Sequence, residues 1–213
     1  MIIAIDGPAA SGKGTIAKQV AAHYGLPHLD TGALYRAVAR DTLARGGDLA
    51  DPSAAARAAV SVDVATLGDP ALRTVGVGEA ASIVAQHGEV RALLLAYQRT
   101  FAKAGPGAVI DGRDIGTVIC PDAPAKLFVT ASAEVRAHRR YLELRQHGIE
   151  IVEAKVLVDI RARDQRDRTR GASPLRQAED AALLDTTNLD IDAAFRTAID
   201  LIEVAMGQAG QAC

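Results

Sequence analysis

The chain has 213 residues, a formal net charge of -2 and 49% hydrophobic against 23% charged residues, which gives apolar surface enough for a full core and excludes a disordered chain. Without a positive excess, and with 3% aromatics, it offers neither the field nor the stacking platform that nucleic acid needs, so none is expected as a partner. The two cysteines, Cys120 and Cys213, lack CxxC spacing and read as a small buried thiol and a frayed terminal one, not as a disulfide or metal pair. Met1–Asp6 has no basic leader, and no apolar run is long enough for a membrane. A cytoplasmic protein with no membrane partner is expected, and the even charge mix favours a monomer.

Residues 2–6 (IIAID) read as a buried strand, followed by a glycine-rich turn over Gly7–Thr15 and a helix from about Lys13 to His23. A short segment at 26–30 ends in Asp30-Thr31-Gly32, and helical spacing then runs through Leu34, Val38 and Leu43 to a stop at Gly46-Gly47. Residues 47–78 show weak periodicity and no long element. They read as a small inserted lobe, with Val60, Val62, Val64 and Leu67 as its apolar surface. A helix over about 89–103 precedes two strands, 108–111 (AVID) and 126–130 (KLFVT). Segments 133–147 and 150–170 are helical and basic, 182–185 (ALLD) is a last strand, and 191–206 an amphipathic helix. Short apolar strands alternating with helices predict an α/β fold with a parallel sheet covered on both faces.

The strongest motif is Gly7-Pro8-Ala9-Ala10-Ser11-Gly12-Lys13-Gly14-Thr15, placed between a strand and a helix. GxxxxGK in that setting turns backbone N–H groups around a phosphate and lets Lys13 reach the β/γ oxygens, so a nucleotide site is expected over these nine residues, which the resemblance given below implies is the ATP site. Gly14 replaces the usual hydroxyl after the lysine, so no direct protein ligand to Mg²⁺ is expected. The ion would be held by phosphates and waters. A guanine-reading NKxD or TKxD motif is missing, which weakens a GTP-driven switch as the alternative.

Asp111-Gly112-Arg113-Asp114 follows an apolar strand, at the edge where ligands sit in parallel sheets. Asp111 is placed to order waters on Mg²⁺, or else merely caps its strand. Arg113 and Asp114 form either a ligand-facing pair or a salt bridge. The stretch 161–170 (RARDQRDRTR) is either a solvated face laced by pairs such as Asp159–Arg163 and Asp164–Arg168, or a cationic lid. Helical spacing puts Arg163, Asp167 and Arg170 on one face. His23, His28, His87, His138 and His147 are scattered and read as surface or boundary residues. A phosphate acceptor is already an anion and needs no base.

Taken together, 5–15, Leu29–Arg36, Val90-Arg91, Asp111–Thr117 with Pro121-Asp122-Ala123-Pro124, Arg136–Arg140 and Arg163–Arg170 resemble bacterial cytidylate kinases over nearly the whole chain. That resemblance implies the P-loop nucleoside monophosphate kinase fold, with a five-stranded parallel core (1–35, 86–147 and 171–213), an acceptor lobe (36–85) and an arginine-rich lid (148–170). It implies ATP as donor, Mg²⁺ as cofactor and CMP or dCMP as acceptor. By the same likeness Arg36, Arg113 and Arg170 clamp the acceptor phosphate, Ser82, Arg91 and Asp114 read cytosine, and Arg163 with Asp167 contacts the sugar. Thr31 and Tyr35 complete the acceptor set, and Lys13, Asp111, Arg113, Arg163 and Arg170 carry catalysis. Thr31 stands where serine is common, and the stretch between Asp63 and Ser82 is shorter than in some members, so a strand or hairpin is expected to be missing there. An adenylate or shikimate kinase remains the sibling reading.

Overall fold

The computed structural model describes residues 1–74 and 76–211; Cys213 lies outside the described residues. The apolar segments form strands β1 (Ile2–Asp6), β2 (His28–Asp30), β3 (Ala108–Gly112), β4 (Ala125–Thr130) and β5 (Ala182–Asp185). They pair in the order β2-β3-β1-β4-β5, every pair parallel. The sheet interior is apolar on both sides because helices cover both. Ile3 and Ile5 of β1 join one cluster with Ile16 and Val20 of α1 (Lys13–Tyr24) and Ala198 and Ile202 of α8 (Ile191–Gln211). Ala4, on the opposite face, packs with Ile110, Ile115 and Ala102, the last from α5 (Gly88–Lys103). β5 is an edge strand, so Leu184 is buried while Leu183 is exposed.

Asp30 caps α2 (Thr31–Ala44) by accepting from Ala33 N at 3.3 Å. The region expected to lack a long element instead holds α3 (Pro52–Val60), two short 3₁₀ turns and α4 (Val77–Val84), and among its described residues there is no strand. Its apolar surface also differs from expectation. Val60 and Val64 are exposed, at 73% and 40%, and only Val62 and Leu67 pack partly inward. The buried surface comes from Ala55, Ala58, Ala59, Ala80, Ala81 and Val84, set against Leu34, Tyr35 and Val38 of α2.

The basic segments form α6 (Ala133–Gln146) and α7 (Glu153–Thr169), which pack on each other through Ala137, Leu144, Val156 and Ile160, with Ala9 of the glycine-rich loop at the end of that cluster. The parallel registers set Asp30 beside Asp111 and Asp6 beside Gly112. Asp30 and Asp111 therefore lie side by side at the carboxyl edge of the sheet, where the loop after β1 also starts, while Asp6 ends β1 facing the opposite side.

Candidate active site

Gly7 and Gly12 shape the loop for different reasons. A Cβ on Gly7 would lie 2.0 Å from the Val129 carbonyl oxygen, so only glycine lets the chain pass β4. Gly12 has φ 88°, a left-handed conformation that leaves the first N–H groups of α1 aimed out of the helix end. No acidic residue occupies the first turn of α1 to compete for an anion. Burial, reinforced by the Arg113 guanidinium, lowers the Lys13 ammonium from 10.5 to about 7. Two cavities flank the loop. One of about 380 Å³ lies in front, bordered by Lys13, Asp111 and Arg163, and one of about 860 Å³ lies beside it, bordered by Thr15, Arg139, Thr186 and Asp190.

A third cavity, of about 160 Å³, collects the acceptor candidates: Thr31, Tyr35, Arg36, Ser82, Arg91, Arg113, Asp114, Arg163, Asp167 and Arg170 all line it, with Lys13 and Asp111 at its wall. Six cationic side chains and four carboxylates border it, an excess of two positive charges when Lys13 is protonated. Arg91 pairs with Asp114 and stands over the Tyr35 ring, 5.3 Å from its centre. Arg113 Nε donates to Asp167 at 3.0 Å, and Arg36 Nη2 to Asp30 at 2.6 Å. Burial raises both carboxylates, but Arg113 beside Asp167 and Arg36 beside Asp30 outweigh it and hold each below the usual range. Burial and then Arg113 push Arg163 down to about 10. Four buried guanidinium nitrogens around this space have no hydrogen-bond partner: Arg36 Nε, Arg91 Nε, Arg163 Nε and Arg170 Nη2.

Several local expectations change. Arg170 does not share the α7 face; it caps the helix in extended conformation and is held by Nε donating to the Ser173 carbonyl at 2.7 Å. It reaches the cavity from the following loop. The pairs Asp159–Arg163 and Asp164–Arg168 are replaced, since Asp159 accepts from Lys155 at 2.7 Å and Asp164 is buried against Arg136. Asp167 does sit between two arginines, but its nearer one is Arg113 of β3's loop. Ser82 is buried and accepts from Arg166 Nε at 3.5 Å.

Two contacts escaped the sequence. His28 Nε2 lies 2.8 Å from Asp111 Oδ2, fixing the carboxylate that faces the loop. The five histidines are otherwise exposed or of intermediate burial, as expected. Asp6 accepts from Ile115 N and Gly116 N, each at 2.8 Å, and so holds the segment that carries Arg113 and Asp114. The only available cue to it was a carboxylate at the end of an apolar strand. Among the described residues, no cluster of three or more His, Cys, Asp or Glu could cage a metal. Asp111 Oδ2 lies 3.9 Å from where a Gly14 Cβ would be, so this carboxylate faces the glycine-rich loop and fits a hydrated ion whose own ligands are nucleotide phosphates and waters.

A parallel sheet with this loop and a cation-lined cavity beside it defines a P-loop phosphotransferase of the nucleoside monophosphate kinase fold. Its solved likenesses show that fold alone: a gluconokinase from Sinorhizobium meliloti 1021 (TM-score 0.52, 17% identity, 99% of this chain and 97% of that one) and an uncharacterized protein from Eubacterium ventriosum (TM-score 0.56, 18% identity, 95% and 98%). The family is shown by sequence. The cytidylate kinase family matches residues 3–204, and the chain is 60% identical to a cytidylate kinase of Rhodopseudomonas palustris (strain TIE-1) over 95% of this chain and 96% of that protein. It is 61% identical to a cytidylate kinase of Xanthobacter autotrophicus over 95% and 97%. The chain belongs to the cytidylate kinase family.

Proposed function

We propose that this enzyme moves the γ-phosphoryl group of ATP to CMP and dCMP, forming CDP and dCDP. The observation that carries the reading is the set of four buried guanidinium nitrogens left unpartnered around one cavity. Buried polar groups without partners are rare, and arginine forks suit phosphate oxygens. Five arginines against four carboxylates, with Lys13 added when it is protonated, also leave the cavity a positive excess that suits an anionic nucleoside monophosphate.

ATP takes the loop 7–15, with its base directed to the larger cavity beside Thr186. Arg36, Arg113 and Arg170 hold the acceptor phosphate, Asp167 with Arg163 the sugar, and Ser82, Arg91 and Asp114 the base, between Thr31 and Tyr35. Lys13 follows the transferring group, where charge gathers on the equatorial oxygens. The acceptor oxygen is already anionic, so these groups position and neutralise without removing a proton. Mg²⁺ on the ATP phosphates, held through water near Asp111, supplies further neutralisation. Residues 36–85 act as acceptor lobe and 148–170 as lid over the 1–35, 86–147 and 171–213 core; the ion pair of Arg166 with Glu79, 2.5 Å, which ties α7 to α4, supports that reading. Acting on diffusible nucleotides, the enzyme works as a cytoplasmic monomer.

Base choice tests the site. Asp114 can accept from the cytosine amine but meets the uracil carbonyl acceptor to acceptor, while Arg91 donates to cytosine N3 and opposes the N3 proton of uracil. Each buried mispairing costs about 1–3 kcal/mol, so CMP should be favoured over UMP by roughly 10²-fold or more in kcat/KM. Asp114→Asn should narrow that gap, because its amide can donate to the carbonyl. Steady-state kinetics with CMP, dCMP, UMP and AMP check this; equal use of UMP and CMP by the wild type would mean that Asp114 does not read the base.

A further inference from the structure

We propose that Arg136, which lines neither nucleotide cavity, is a positioning residue that couples donor binding to acceptor binding through Asp164. The inference rests on the donor and acceptor assignment above. Arg136 is 3% exposed, and every nitrogen of its guanidinium is used. Nε donates to the Ala131 carbonyl at 2.8 Å, Nη1 to the Ala9 carbonyl at 3.3 Å and to Asp164 Oδ1 at 3.0 Å, and Nη2 to Asp164 Oδ2 at 2.6 Å. One planar group thus joins three pieces of the molecule: the end of β4, the phosphate loop, and α7.

The positions of those contacts give the join its meaning. Ala9 precedes Ala10, whose φ of 59° is one of two positive values outside glycine among the described residues, so the loop there has little freedom to adjust alone. Asp164 lies between Arg163 and Asp167 on α7, yet points away from the cavity they line. A phosphate that seats the loop fixes the Ala9 carbonyl. The fork geometry then fixes Asp164, because turning the helix would misalign both bidentate bonds at once. Arg163 and Asp167 ride on the same rigid helix and take their acceptor-facing positions with it. A stability role alone does not call for this arrangement, since an apolar pair of similar volume fills a buried site as well as an ion pair.

The test is the reciprocal effect of the two nucleotides. Calorimetric titration would give the dissociation constant of CMP with and without the non-hydrolysable β,γ-imido analogue of ATP and Mg²⁺. In the wild type the analogue should tighten CMP by at least about 5-fold, and CMP should tighten the analogue by the same factor. The double variant Arg136→Met with Asp164→Leu should fold and keep its binary CMP constant within about 2-fold, with the coupling factor reduced to about 1. Arg136→Lys keeps the charge and loses the fork, and should lose most of the coupling; it decides the matter if the double variant does not fold. Coupling retained in the folded double variant, or in Arg136→Lys, overturns the proposal. CMP binding to the wild type without coupling overturns it alone, whereas no CMP binding at all removes the substrate assignment with it.

Discussion

Lys13 is asked to carry a charge that its surroundings oppose. Its pKa near 7 means that the empty site at pH 8 holds mostly neutral amine. An anionic triphosphate favours the ammonium, so ATP binding at pH 8 should take up close to one proton, measured as a buffer-dependent binding enthalpy and lost in Lys13→Met. Folding is linked the same way. Between pH 7 and 10.5 only the unfolded chain holds this proton, so the Lys13 contribution to stability grows as pH rises through that window. Asp6 acts in reverse. Burial raises its carboxyl from 3.8 to about 7, against the two backbone N–H bonds, so between those values only the folded chain is protonated, and its contribution falls as pH rises. In catalysis, Lys13→Ala should cost roughly 3–4 kcal/mol of transition-state stabilisation with the fold intact. Near-normal turnover in a folded variant would remove the assignment.

At the scale of elements, α7 connects to its surroundings through pairs of very different weight. Arg166 with Glu79 is a partly exposed pair, 29% and 51%, of the kind worth about 0–1 kcal/mol. Arg136 with Asp164 is buried and bidentate. Arg170, just beyond the helix, is buried with one free nitrogen 4.0 Å from Asp114, and its pKa is lowered by burial and by Arg91. A charged hydrogen bond to the acceptor phosphate is worth about 1.5–3 kcal/mol, so Arg170→Ala should raise the CMP KM roughly 10–100-fold, with turnover reduced and the ATP constant nearly unchanged. Initial-rate kinetics with each nucleotide varied in turn give the answer. A collapse of ATP affinity at unchanged CMP dependence would refute the acceptor-phosphate role.

For the whole molecule, the donor and acceptor sites proposed above both lie against the sheet edge where β1, β2 and β3 end, so binding should stabilise the native state as a unit. At 100 times its dissociation constant a ligand adds about 2.7 kcal/mol, which for a chain of this size raises Tm by roughly 5–10 °C. Scanning calorimetry should show that rise with CMP and a smaller one with UMP at equal concentration. An equal rise with both would contradict pyrimidine discrimination in the ground state.

The sequence by itself determined what neighbouring residues encode. The strand, glycine turn and helix of the phosphate loop lie within 24 residues, and each has a local steric cause. Asp111–Asp114 was legible because an apolar strand must end at the ligand edge of a parallel sheet. The helices α3 and α4 were not, because at nine and eight residues each makes little more than two turns, too few for an apolar face to repeat. Nor were the pairs that depend on strand order: His28 with Asp111 is 83 positions apart, and Asp6 with Gly116 is 110. Spacing also put Arg170 on the helix, whereas the chain leaves α7 one residue earlier, and it assigned Asp164 a neighbour on its own helix. Only the tertiary structure gave Asp164 to Arg136, because a buried carboxylate must find its cation wherever packing supplies one, and here that was another helix.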